Sequence, residues 1–319
     1  MIKKSIALAC AFALGACSNE EAQTNSVSFY ISDAPVDNAQ AVVVNYSGIT
    51  LSGDEGDVFY PVTDAEGNET TAQINLLDYQ NGDSYLLLSN LDIPAGSYKS
   101  LIVNTEGCQT HAGASAEFCY VVNDQGQHPL STPSNKLKLG GIDIAAEGQQ
   151  EFTIEFNLRK ALVERGKGEQ YNLKPHGVSV LENRTKAHIE GVVDEALLTA
   201  NDCDGNSSFV YLYPQNDGAQ PLADAFDPAM DDVADVVAPI ASAAVVQNAE
   251  SNEWGYKIAN IVGGDYQLAF SCDAASDNPE IYDGLTIPNP EGQVHDVTVQ
   301  YSTTATVNFE EIIEEVPAS

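Results

Sequence analysis

Asp202-Cys203-Asp204-Gly205-Asn206 alternates oxygen-bearing side chains around a glycine, the pattern by which short loops hold calcium. Asp273, Asp277, Asn278, Glu280 and Asp283 would approach this stretch if Cys203 bonds Cys272. Asp202, Asp204 and Asn206 are therefore the metal candidates of the chain, and calcium is the one cofactor its sequence offers. The stretch lacks the spacing and terminal glutamate of an EF-hand, and Asp, Gly and Asn are equally the residues of an ordinary turn. Hydrolytic chemistry has less to stand on. None of His111, His128, His176, His188 and His295 sits in an HExxH or nucleophile-elbow pattern. With 47 acidic residues, carboxylate pairs at glycosidase spacing arise by chance and carry no information. No catalytic residue is predicted, and the chain is expected not to be an enzyme.

The N-terminus reads as an export signal. Lys3 and Lys4 precede the apolar run Ile6 to Leu14, which is shorter than the roughly 20 residues a membrane-spanning helix needs. Leu14-Gly15-Ala16-Cys17 resembles the lipobox of bacterial lipoproteins. That resemblance implies removal of residues 1–16 as a signal peptide and lipidation of Cys17. Ser18, where an Asp would retain the protein at the inner membrane, implies the Gram-negative outer membrane, with the chain facing the periplasm or the surface. The lipid would be the anchor, and residues 17–25 a flexible tether.

Cys10 leaves with the signal and Cys17 takes the lipid, so Cys108, Cys119, Cys203 and Cys272 remain. An even number in an exported chain predicts disulfides. Sequence proximity and the domain boundary favour Cys108–Cys119 and Cys203–Cys272, worth about 3 and about 4 kcal/mol or more in the chain-entropy model. A metal site would need CxxC-like spacing with supporting histidines, and neither is present.

The formal net charge is −34, which argues against nucleic acid and anionic lipid surfaces as partners. Charge is unevenly spread. Residues 187–319 hold 24 acidic residues against the single basic Lys257, while nine of the 13 basic residues fall between Lys136 and Lys186. That shift marks a boundary, with one domain over 26–184 and an acidic one over 185–319. Arg159, Lys160, Arg165 and Lys167, beside Gly166 and Gly168, form a basic group suited to an anionic ligand or, preferably, to the acidic second half.

Short segments rich in Val, Ile, Tyr and Thr alternate with Gly, Asn, Asp and Pro turns through both regions. They predict an all-β protein, two antiparallel β-sandwiches of Greek-key, prealbumin-like type in tandem. Phe152, Ile154, Phe156 and Leu158 alternate cleanly, placing one face of their strand in a core and the other in water. A helix is predicted over Leu158–Glu164, ended by Gly166 and Gly168, and Tyr171–Leu181 reads as one strand. The acidic insert Asn216–Pro239 reads as a loop with a short helical turn.

Several separated blocks are similar to the bacterial family catalogued as domain of unknown function 4382. They are Ser32-Asp33-Ala34-Pro35 with Ala41 to Leu51, Asn75 to Asp78, Ile93 to Tyr98, Phe152 to Lys160, and Tyr171 to Pro175. The resemblance covers about residues 26–182. It implies a β-sandwich carried by exported lipoproteins and supplies no catalytic residues. Trp254 to Ile261 followed by Gly263 to Leu268 more loosely resembles the paired-strand ending of transthyretin-like or carboxypeptidase-regulatory-like modules. The expected function is a non-enzymatic binding or scaffold module of the outer membrane, with an envelope protein or glycan as its partner. The alternative is a glycan-binding or glycan-processing accessory lipoprotein, which an aromatic row on one sheet face would favour.

Overall fold

Among its described residues the protein, seen here in a computed structural model, has four main sheets around two principal cores and a smaller third cluster. The structure describes residues 23–34, 39–108, 116–166, 168–200, 203, 207–228, 231 and 233–311. Lipidation at Cys17 and the calcium candidates Asp202, Asp204 and Asn206 fall outside these residues, as does Lys167.

In the first half, a four-stranded sheet runs Val178–Glu182, Gln149–Asn157, Thr24–Ala34, Tyr85–Pro94. It faces a nine-stranded sheet built around the long strand Ala41–Gly53. Val27, Phe29 and Ile31 alternate inward from one sheet, and Val42, Val44 and Tyr46 from the other. The Tyr46 and Phe156 rings meet across the gap at 6.3 Å. Burying each such ring stabilises the fold by about 2–3 kcal/mol. Cys108 and Cys119 are joined at the edge of this core, Cα to Cα 5.0 Å.

In the second half, the sheet Val246–Gln247, Trp254–Val262, Lys186–Val192, Thr304–Thr306 faces a sheet of Ala241–Ala244, Phe209–Pro214, Gly264–Ser271 and Val294–Val299. Phe309 plugs the space between them, with the Phe270 and Tyr256 rings each 5.8 Å away. The Cys203–Cys272 disulfide closes one end, Cα to Cα 5.7 Å.

The all-β expectation holds, and antiparallel pairing dominates. Parallel ladders also occur, the longest joining Thr24–Ala34 to Gln149–Asn157.

Local readings are corrected in three places. The helix stops at Ala161, because Leu162–Arg165 turns into a strand paired with Gln170–Leu173. Gly166 and Gly168, at φ of 63° and 87°, shape that hairpin turn instead of ending a helix. Tyr171–Leu181 is interrupted at Lys174–Gly177, and the chain crosses from the nine-stranded to the four-stranded sheet there. Pro175 lies in the gap, where its missing N–H costs no ladder bond. Trp254–Val262 and Gly264–Ser271 do not pair with each other, since Gly263 marks a corner between opposite sheets. A Cβ on Gly263 would meet the Tyr301 ring at 2.5 Å.

The acidic insert is a loop in which Asp231 N donates to Asp227 O at 2.9 Å, the spacing of a helical turn. It packs as a cover over the outer face of the Phe209–Pro214 strand. Val210 and Leu212 of that strand point into the main core, while Phe209, Tyr211 and Tyr213 meet Ala225, Ala274 and Ile287 on the other side. Tyr213 donates its hydroxyl to Ala223 O at 2.6 Å.

Candidate functional site at the seam between the halves

The two halves meet where the Gln149–Asn157 strand ends, and the sequence sets up that end locally. Asn157 accepts a hydrogen bond from Lys160 N at 3.3 Å and so caps the one-turn helix Leu158–Ala161. The helix buries Leu158 and Ala161 in the first core and presents Arg159 and Lys160 to the second half.

Arg159 is 7% exposed, and its guanidinium is engaged on several sides. Nη1 donates to Asp277 Oδ2 at 2.8 Å and Ser242 Oγ at 3.1 Å, and Nη2 donates to Asp277 O at 3.3 Å. The guanidinium carbon stacks 4.0 Å above the Phe209 ring centre. Asp277 in turn accepts from Tyr211 Oη at 2.7 Å and Ala225 N at 3.1 Å. Burial, then the Asp277 charge, pushes the Tyr211 hydroxyl well above its ordinary range. A buried pair met from every side is tolerable, whereas removing one partner costs about 3–5 kcal/mol.

Around this centre lie further contacts. Lys160 Nζ donates to Pro239 O at 2.5 Å and Ile240 O at 3.0 Å. Burial and the neighbouring Arg159 pull its ammonium down to about 8, against the opposing pull of Asp227 and Asp277. Lys174 Nζ pairs with Glu280 Oε1 at 2.9 Å, and His176 Nε2 lies 3.4 Å from Asp227 Oδ1.

A second contact lies on the face of Gln149–Asn157 that alternation assigned to water. Thr153 is fully buried and Glu155 is 6% exposed, because the second half covers them. Lys186 Nζ donates to Thr153 Oγ1 at 3.0 Å. Asn260 Nδ2 donates to Glu155 Oε2 at 2.7 Å and to Ser32 Oγ at 2.9 Å. Asn260 reaches them from a left-handed backbone, φ 52°, beside a register shift between Trp254–Val262 and Lys186–Val192. Burial pushes the Glu155 carboxyl up to about 7, against the opposing hydrogen bonds of Asn260 and Ser32 and the Lys186 charge.

Arg159 and Lys160 of the basic group therefore meet the acidic half, as their charge suggested. Arg165 takes a different role, donating Nε to the Asn172 side-chain oxygen at 2.8 Å once that amide is turned to satisfy its neighbours. Both expected disulfides are present, and the sequence signals of proximity and charge boundary found them. The carboxylates proposed to converge near Cys203 are otherwise engaged. Asp277 holds Arg159, Glu280 holds Lys174, and Asp283 accepts Asn278 N at 2.6 Å. Among the described residues no group of three or more His, Cys, Asp or Glu could hold a metal ion. Sequence reasoning missed Glu155 and Asn260, whose significance lies in burial by a strand about 100 residues away.

Among the described histidines, His176 faces Asp227, His128 Nε2 contacts Asn123 Oδ1 at 3.1 Å, and His188 Nδ1 accepts from Asn260 N at 3.3 Å. The His295 ring lies against Phe309 at 4.9 Å. None of these partners is a hydroxyl or thiol that an imidazole could activate. Of the exposed aromatics Phe59, Phe118 and Tyr301, Phe59 alone lies on a strand, so among the described residues they form no row on one sheet face. A cavity of about 230 Å³ beside Glu155 and Asn260 opens along the seam, and one of about 490 Å³ flanks Arg159 and Asp277. The larger groove of about 550 Å³ lies on the outer face of the Lys186–Val192 sheet, under Gln80 and Asn81.

Residues 24–175 match the family model described as "Domain of unknown function (DUF4382)". That region belongs to this family. The blocks Ser32-Asp33 and Phe152 to Lys160 and the residue Lys174, which carried the resemblance, converge at the seam. No curated protein matches the chain. Solved structures similar to it include the TIE protein of Bacillus anthracis, at 11% identity and a TM-score of 0.20 over 90% of this chain. The chain spans 34% of that protein. The minor pilin GBS52 of Streptococcus agalactiae is similar at 12% identity and a TM-score of 0.19, over 92% of this chain and 100% of the pilin. A fimbrial protein from Bacteroides ovatus is similar at 8% identity and a TM-score of 0.19, over 90% and 49% of the two chains. Scores of that size carry no argument about shared arrangement or role.

Proposed function

We propose that this chain is a non-enzymatic, lipid-anchored module of the Gram-negative outer membrane, in which the DUF4382 domain grips a second, acidic sandwich to make one rigid binding or scaffold unit. The domains are residues 26–184 and 185–319, tethered by 17–25 to a lipid on Cys17. The observation that carries this reading is the buried Arg159–Asp277 pair, which ties the family domain to the second half through hydrogen bonds from both terminal guanidinium nitrogens. A hinge between independent domains would leave such charges to water, because burying them is costly without fixed partners. The lipobox resemblance and the acidic surface support the envelope location.

The lock is tested by small-angle scattering on the full chain and on Arg159→Ala. At pH 5 native protein should give one compact distance distribution, and Arg159→Ala a broader, longer one. A native distribution that is already broad overturns the rigid unit. The anchor is tested by fractionation, in which Cys17→Ser should leave the membrane pellet. Continued sedimentation with outer membranes overturns lipidation at that residue.

A further inference from the structure

We propose that Glu155 and Asn260 form a proton-dependent latch between the two halves, closed while Glu155 is protonated and loosened when it ionises. The geometry supplies the reason. Asn260 Nδ2 satisfies Glu155 Oε2 at 2.7 Å, but Glu155 Oε1 and Asn260 Oδ1 are both buried without a donor. Both are acceptors when Glu155 is ionised, so neither can satisfy the other. A proton on the carboxyl converts one acceptor into a donor, which is what this pocket lacks.

Titratable groups of the neighbouring strands surround Glu155. Asp33 follows Ser32, the register partner of Glu155, on the neighbouring strand. Asp33 is fully buried, one of its oxygens also lacks a donor, and burial holds its carboxyl well above the usual range. Its other oxygen, Oδ2, accepts from Gln80 Nε2 at 3.0 Å. The Glu155 charge pushes the Asp33 carboxyl up further. The Lys186 charge, from Lys186–Val192, lowers the Glu155 carboxyl, and Lys186 Nζ donates to Thr153 Oγ1. Lys257 lines the same cavity as Glu155. His188 lies behind Asn260, and burial with the Lys257 and Lys186 charges lowers its pKa. The adjoining cavity of about 230 Å³ offers the newly charged carboxylate a route to water once the halves part.

The sign follows from linkage. In the closed seam Glu155 titrates at about 7, and once exposed it returns to its ordinary 4.5. The closed state therefore binds the extra proton, and closure weakens as pH rises from 4.5 to 7. Over that interval the closing equilibrium should fall by on the order of a hundredfold, and above it the loss is complete.

The latch rests on the locked seam proposed above and fails separately from it. Spin labels at the exposed positions Val58 and Val246, placed as unnatural amino acids to spare the disulfides, report the separation of the halves in the full chain. Carbon-13 NMR of labelled glutamate reports the Glu155 carboxyl. Expected are a carboxyl titrating near 7 and a distance distribution that broadens between pH 5 and pH 8.5. Glu155→Gln, whose amide supplies a permanent donor, should stay narrow at both values, and Asn260→Ala should be broad at both. Titration of Glu155 near 4.5 overturns the latch, as does an unchanged pH response in Glu155→Gln. A distribution narrow at both values in native protein keeps the lock and removes the latch. One broad at both removes the lock itself.

Discussion

The two halves are both sandwiches, yet they manage charge in opposite ways. The first half keeps one core between two sheets and sends Arg159, Lys160 and Lys174 to its rim. The second half has a sheet buried on both faces, and its carboxylates pin the covering loops by capping backbone N–H groups. Asp224 Oδ2 accepts Leu285 N at 2.7 Å, Asp231 accepts Tyr282 N at 2.9 Å, and Asp277 accepts Ala225 N. A carboxylate that accepts such bonds holds an irregular segment where no ladder can. The acidic surplus is thus structural in part, and one of these carboxylates, Asp277, also provides the socket for Arg159.

If the second half depends more on long-range ties, its disulfide should matter more. Cys203 and Cys272 are separated by 69 residues and Cys108 and Cys119 by 11. Replacing the longer pair with serine should cost about 4.5 kcal/mol, and the shorter about 3. Urea unfolding of each double variant decides this, and the reverse order would break the comparison.

The seam comes next in size. Arg159→Ala should destabilise the chain by about 4 kcal/mol, because Asp277 would stay buried without its cation. Arg159→Met with Asp277→Leu should cost less than the two single changes combined, which a double-mutant cycle measures. Additive losses would mean the halves do not couple through this pair.

Proton linkage sharpens the contrast further. Lys160, lowered to about 8, binds its proton less tightly in the folded seam than in the unfolded chain, where it titrates at 10.5. The folded state therefore holds fewer protons between those values, and stability should rise with pH from 8 to 10.5. Glu155 works in the opposite sense over 4.5 to 7, where stability should fall as pH rises. Lys160→Met should flatten the alkaline limb of a melting-temperature profile and leave the acidic limb unchanged.

The smallest effect is ionic. Residues 187–319 carry a net charge of −23, so added salt should raise the melting temperature by screening self-repulsion. Calcium and magnesium at matched ionic strength should act equally if screening is the whole effect. A calcium-specific excess, lost in Asp204→Asn, would make residues 202–206 a cation site.

Local physics was legible in the residues. Val, Ile and Tyr alternation located most strands, because a strand side chain needs only its own neighbours to declare a face. The disulfide partners followed from proximity, and the family from its spaced blocks. The charge break near Lys186 anticipated that the basic group would meet the acidic half. Other features depended on segments far apart in the chain. The parity of Gln149–Asn157 assigned Glu155 to water, and only the arrival of Asn260 buried it. The sequence directed Asp277 toward the Cys203 stretch, and only folding placed it under Arg159, 118 residues away. Periodicity reports which face a side chain takes, but burial and partner identity depend on which segment covers that face. At this seam the tertiary structure decided both.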